Sequence, residues 1–228
     1  MALVLWSHPF ASFCQKALVA LYETGLRFEA RMVDLGDAAS ADAFRALWPL
    51  AKMPVLVDDE RRLTLPEATI VIEHLHRLAP EAGLIPSDAE AALRTRLLDR
   101  VVDNYVQLPM QKIVTDRIRP EGKGDPYGVE QARDQLRTAY RVIETELTDG
   151  RPWIAGEAFT LADCGAAPAL FYADRVEPFR EGWPMLSAYA DRLAARPSVA
   201  RVIREAEPYQ SLFPKPRGND RRASQPES

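Results

Sequence analysis

Two hydrophobic periods alternate over the first 80 residues. Residues 2–6 form a short apolar run broken by His8-Pro9, the mark of a buried strand. Residues 12–22 then place Phe13, Ala17, Leu18 and Leu21 at helical spacing, and Gly25 supplies a C-terminal stop. Residues 27–33 return to period two, with Phe28, Ala30 and Met32 alternating against charges. A short helix over 39–47 ends before Pro49. Residues 54–57 and 62–65 read as strands of a hairpin, joined through Asp58-Asp59-Glu60. A third helix over 67–78 places Ile70, Val71, His74 and Leu75 on one face. The order is β-α-β-α-β-β-α, which gives a small mixed sheet covered by helices.

The pattern changes after residue 80. Residues 81–88 are rich in Pro, Gly and acids and read as a linker. Residues 89–118, 130–147, 161–175, 185–195 and 199–205 all have helical period, and no strand pattern follows. The reading is an α/β domain over 1–80, an all-helical domain over 89–212, and a polar, Pro-rich tail over 213–228 expected to be disordered. No internal repeat is visible.

Composition narrows the function. Hydrophobic residues make up 47% and charged residues 27%, which places the chain among globular proteins and not disordered ones. The net charge of -4, without a concentrated basic face, disfavours nucleic acid and anionic membranes as partners. No apolar run approaches the roughly 20 residues that span a bilayer. The N-terminal segment lacks the basic start of a signal peptide. Two cysteines, Cys14 and Cys164, are too few for a disulfide framework, so a reducing, cytoplasmic setting is expected. Of three histidines, His74 and His76 lie two apart on a helix and diverge, and no metal site is expected.

Candidate chemistry gathers at three places. The stretch Ser7-His8-Pro9-Phe10-Ala11-Ser12-Phe13-Cys14 joins the first strand to the first helix. A helix N-terminus offers N–H groups and a positive dipole end, both favourable to a thiolate. Lys52-Met53-Pro54 precedes the third strand, and Glu67-Ala68 opens the third helix. In the second region Thr160 and Asp163 have capping-box spacing.

These segments together resemble the glutathione transferase family, over about 200 residues and in the family's order. The resemblance implies a thioredoxin-like N-terminal domain followed by a helical bundle. It implies a cis peptide at Met53-Pro54 that presents the Met53 backbone to the cysteinyl part of glutathione. Glu67 would take the γ-glutamyl ammonium, while the N–H of Ala68 takes its carboxylate, and Lys52 is a further candidate contact. Ser12 is the candidate catalytic residue, with capping of the first helix as the alternative. Ala11 stands where glutaredoxin-type proteins carry the attacking cysteine, and Ala68 stands where the family usually has serine. Cys14 reads as a buried structural thiol, with a redox role as the alternative, and His8 as a loop residue. Phe10, Tyr105, Met110 and Ile113 are candidates for an electrophile pocket, with the core as the alternative for the last three.

The implied function is a detoxification-type transfer of glutathione, as co-substrate, to a small apolar electrophile. Neither metal nor nucleotide takes part, and the protein would be a homodimer. Alternatives are a glutathione- or apolar-ligand-binding module with little turnover, and a glutathione-dependent isomerase or reductase.

Overall fold

The computed structural model describes residues 3–216. The N-terminal domain is thioredoxin-like: β1 (Leu3–Ser7), α1 (Ser12–Thr24), β2 (Phe28–Met32), α2 (Ala38–Leu47), β3 (Val55–Asp58), β4 (Leu63–Pro66) and α3 (Ala68–Leu78). The four strands lie in the order β2-β1-β3-β4. β1 pairs with β2 in parallel and with β3 antiparallel, and β3 pairs antiparallel with β4. The βαβ crossover through α1 allows the parallel pair, and the tight 59–62 connection allows the hairpin. Leu3 and Leu5 of the central strand are buried against Leu18 and Leu21 of α1 and Val71, Ile72 and Leu75 of α3.

Edge position explains one departure from the pattern. β2 forms as expected, yet most of its residues are exposed, and Met32 is half exposed, because β2 is an edge strand of the sheet. In α3, Val71, His74 and Leu75 are buried as expected, whereas Ile70 is 49% exposed. His74 Nε2 lies 2.9 Å from the buried carboxylate of Asp58, at the end of β3. Its side chain is therefore a satisfied core histidine.

The helical domain holds α4 (Ala89–Val102), α5 (Leu108–Arg117), α6 (Pro126–Glu146), α7 (Leu161–Ala173), α8 (Pro184–Ala195) and α9 (Pro197–Ala206). The expected single helix over 89–118 is divided by a widened turn at Asp103–Gln107, where the Leu108 N–H bonds the Asp103 carbonyl five residues back. Pro109 follows at once and has no N–H to give. α7 is buried almost all round, which accounts for its run of Ala, Gly and Cys.

α1 and α7 are in contact at the seam between the domains. Gly165 of α7 permits this approach: a Cβ there would lie 3.3 Å from Lys16 Cε and 3.4 Å from Asp99 Oδ1. Lys16, 1% exposed, pairs with Asp99 at 2.5 Å and with Asp103 at 2.8 Å, and donates to Thr69 Oγ1 at 3.0 Å. Arg100 adds hydrogen bonds to Thr69, Asp99 and Asp103. Two cations thus neutralise two buried carboxylates and tie α1, α3 and α4 together.

Thr160 and Asp163 form the capping box of α7. The buried Asp163 carboxylate also accepts from the Ile154 N–H at 3.0 Å and the Tyr189 hydroxyl at 2.7 Å. Phe213, at the start of the expected tail, stacks on Tyr172 with ring centroids 6.0 Å apart. Residues 217–228 lie outside the described part.

Candidate active site

A cleft of about 1080 Å³ lies between the two domains, with the N-termini of α1 and α3 both on its wall. Each helix start directs backbone N–H groups and a partial positive charge toward this space. The loop after β1 places Phe10, Ala11 and Ser12 along one side. The segment before β3 contributes Lys52, Met53 and Pro54, with Met53-Pro54 cis as expected. Glu67 and Ala68 close a third side; Glu67 is exposed and takes a positive φ of 70° at the N-cap of α3. That backbone turns the chain sharply from β4 into the helix.

Ser12 is the first helical residue and Ala11 is the N-cap, so Ser12 does not cap α1. Its Oγ accepts a hydrogen bond of 2.5 Å from Gln107 Nε2. Cys14, two residues on, is fully buried and does not face the cleft. Burial pushes its thiol up to about 12, against a hydrogen bond to the His8 backbone. Such a thiol stays protonated at neutral pH and is a poor nucleophile. Cys164 is likewise buried, and burial pushes it up as well. His8 Nδ1 accepts from the Phe10 N–H at 3.1 Å, and burial pulls its pKa down. It holds the loop.

Phe10 and Met110 line the cleft, whereas Tyr105 and Ile113 do not. Tyr105 is 56% exposed on the outside of the widened turn. It lies two residues from both Asp103 and Gln107, which face inward, and two helical residues are about half a turn apart. Ile113 is fully buried in the core of the helical domain.

Several lining residues were not anticipated. Tyr172 of α7 reaches 157 residues back to accept from Gln15 and donates to the Phe10 carbonyl at 2.9 Å. Phe10 meets Tyr172 and Phe213 edge to face, giving one end of the cleft an aromatic wall. Gln107, Arg100 and Thr69 give the other part its polar floor. Asp99, Asp103 and Gln107 recur at intervals of four, a spacing that sets three polar side chains along one face of a helix.

A thioredoxin-like domain joined to a helical bundle, with an interdomain cleft walled by a cis-proline loop and two helix starts, defines the glutathione transferase architecture. Comparison with known proteins agrees. The profile of the glutathione S-transferase N-terminal domain matches residues 5–83, and that of the C-terminal domain matches residues 126–192. The chain belongs to the glutathione S-transferase family.

Among curated relatives, it is 26% identical to a glutathione S-transferase of Silene vulgaris over 211 residues, covering 89% of this chain and 97% of that one. It is 27% identical to glutathione S-transferase GstA of Escherichia coli O157:H7 over 187 residues, covering 81% and 90%. Among solved structures, a glutathione S-transferase of Methylobacillus flagellatus with glutathione bound superposes with TM-score 0.81 at 24% identity, covering 88% of this chain and 98% of that one. One from Methylobacterium radiotolerans, in complex with glutathione sulfonate, gives 0.78 at 26% identity, covering 89% and 95%.

Proposed function

We infer that the protein binds glutathione in this cleft and activates its thiol for attack on an apolar electrophile. The observation that carries the reading is the convergence of Ser12, the Met53 backbone and Glu67-Ala68 on one cleft. Glutathione presents an ammonium and a carboxylate at its γ-glutamyl end, a central thiol and a second carboxylate. Glu67 takes the ammonium, the start of α3 takes the adjacent carboxylate, and Lys52 faces the far one. The thiol then lies by Ser12, at the positive end of α1.

A free thiol has a pKa of about 8.5, and lowering it to about 6.5 requires roughly 2.7 kcal/mol. One hydroxyl hydrogen bond to a charged sulfur, about 1.5–3 kcal/mol, together with a helix dipole, about 0.3–1 kcal/mol, supplies that. The electrophile packs at the aromatic end against Phe10, Met110, Tyr172 and Phe213. Burial of Cys14 argues against a disulfide reductase that uses its own thiol, so the transferring sulfur is that of glutathione.

The active form is a homodimer in this reading. Ile70, Leu93 and Leu97, which are 49%, 63% and 58% exposed, lie on α3 and α4, elements joined by the Arg96–Glu73 pair. Three large aliphatic side chains in water on adjacent helices favour a covering surface.

Calorimetry with glutathione tests the central claim. Wild type should bind at millimolar ligand or tighter, and Glu67→Ala should weaken binding by about 1.5–3 kcal/mol, the value of a charge-assisted hydrogen bond. Absence of binding heat at several temperatures, or a Glu67→Ala affinity equal to wild type, would remove the basis of the proposal.

A further inference from the structure

We propose that Gln107 is a positioning residue for the thiol: its carboxamide fixes the Ser12 hydroxyl so that the single Ser12 proton is directed to sulfur. The inference rests on the transferase reading above and assigns a role to a residue of the second domain.

A serine hydroxyl has one proton to give and two lone pairs to receive. Gln107 Nε2 donates to Ser12 Oγ, so one lone pair is taken and the proton is left for another acceptor. Both residues line the cleft, so a group of the bound ligand can come within reach of that proton. Gln107 is only 3% exposed, which limits the alternatives its amide has in water. Without that amide, the hydroxyl could rotate and spend its proton on the protein.

The surrounding structure holds Gln107 in place. Ser12 and Lys16 are one turn apart on α1, and Asp103 and Gln107 are one turn apart on the facing helix. Lys16 binds Asp103, and Gln107 binds Ser12, so the two helices meet in two successive polar rungs. The lower rung is a buried ion pair that fixes the helices against sliding or rotation. The widened turn at Asp103–Gln107 ends where Pro109 interrupts the regular ladder. Turns of this kind re-aim a side chain relative to a regular helix. Here Asp103 and Gln107 face α1, and Tyr105 between them faces water.

The polarity of the hydrogen bond makes the idea testable. A carboxylate has the shape of a carboxamide and only accepts. Gln107→Glu would therefore draw the Ser12 proton away from the cleft, whereas Gln107→Met would remove the partner without replacing it. The experiment is a pH titration of the ultraviolet absorbance of glutathione thiolate bound to the full-length protein. It uses wild type, Ser12→Ala, Gln107→Glu, Gln107→Met, and each Gln107 variant combined with Ser12→Ala.

In wild type, bound glutathione should titrate below the value of about 8.5 for a free thiol. Ser12→Ala and Gln107→Glu should each raise it by about one unit, a roughly threefold loss of thiolate at pH 7 from a starting value of about 6.5, with a smaller rise for Gln107→Met. In the Ser12→Ala background Gln107→Met should add no further shift, because it acts through that one hydroxyl, and Gln107→Glu should add only the smaller direct repulsion of its new charge. If Gln107→Glu does not fold, the Gln107→Met and Ser12→Ala pair decides by the same non-additivity.

The proposal is overturned if Ser12→Ala shifts the titration and the Gln107 variants titrate as wild type. It is also overturned if the Gln107→Met shift persists undiminished without Ser12, since that effect would not pass through the hydroxyl. Either result leaves the transferase reading standing. If wild-type glutathione titrates at its solution value, the transferase reading fails and this inference fails with it.

Discussion

Removing Lys16 should expose the electrostatic seam between the domains. Lys16 Nζ lies 2.5 Å from Asp99 and 2.8 Å from Asp103, with side chains that are 1%, 0% and 9% exposed. In Lys16→Met the aliphatic volume is kept and the charge is lost, so two buried carboxylates face a single Arg100 whose side chain is 48% exposed. Breaking a buried pair by deleting one partner costs about 3–5 kcal/mol, far more than the net value of the intact pair. Urea unfolding at neutral pH should register a loss of that order.

The pH dependence identifies the cause. Burial already holds the Asp103 pKa above the ordinary carboxylate value, and Lys16 opposes that rise while Asp99 adds to it. Without Lys16 the folded-state pKa rises further. Folded protein then binds a proton that the unfolded chain, with an aspartate pKa of about 3.9, does not bind until lower pH. The variant should therefore regain stability relative to wild type as pH falls from 7 toward about 5, and lose it again as pH rises through the folded pKa. Adding Asp103→Asn should recover a large part of the loss at neutral pH. A deficit below about 1 kcal/mol, or one that does not change with pH, would refute the reasoning.

The remaining predictions concern folding and assembly. Asp163→Ala should destabilise the protein by at least about 3 kcal/mol, more than the ~0.5–2 of a cap alone, because donors from Ile154, Thr160 and Tyr189 all lose their acceptor. Thermal unfolding reads the loss, and glutathione affinity measured below the transition should stay unchanged; a weak effect on stability would mean water replaces the carboxylate. Light scattering at micromolar concentration should give about twice the 25.5 kDa chain mass, and a double Leu93→Asp, Leu97→Asp change should shift it to the monomer. A wild-type monomer mass would count against the dimer.

Much of the N-terminal domain could be read along the chain because its signals are local. Strand and helix periods, Gly25 as a stop and the order β-α-β-α-β-β-α depend on neighbours a few residues apart. The glutathione-contact candidates Ser12, Lys52, Met53, Pro54, Glu67 and Ala68 stood out for a related reason: each sits at or near an element boundary, where turn and cap chemistry restrict the residue. All six line one cleft. The capping pair Thr160 and Asp163 was legible too, being three residues apart.

What lay beyond the sequence depended on rotation about helix axes and on contacts between distant segments. Tyr105, Met110 and Ile113 are equivalent in a sequence of helical period, yet the widened turn and the packing of α5 against α6 send one outward, one to the cleft and one to the core. Gln107 reaches Ser12 across 95 residues, and Tyr172 reaches Gln15 across 157. Lys16, Asp99 and Asp103 look like solvent-facing charges until α1, α3 and α4 close around them. Periodicity records that a residue lies on a face, because that face repeats along one helix. Only the docking of helices from both domains determines what the face meets, because the burial and ion pairing that choose among rotations exist only once the domains are packed together.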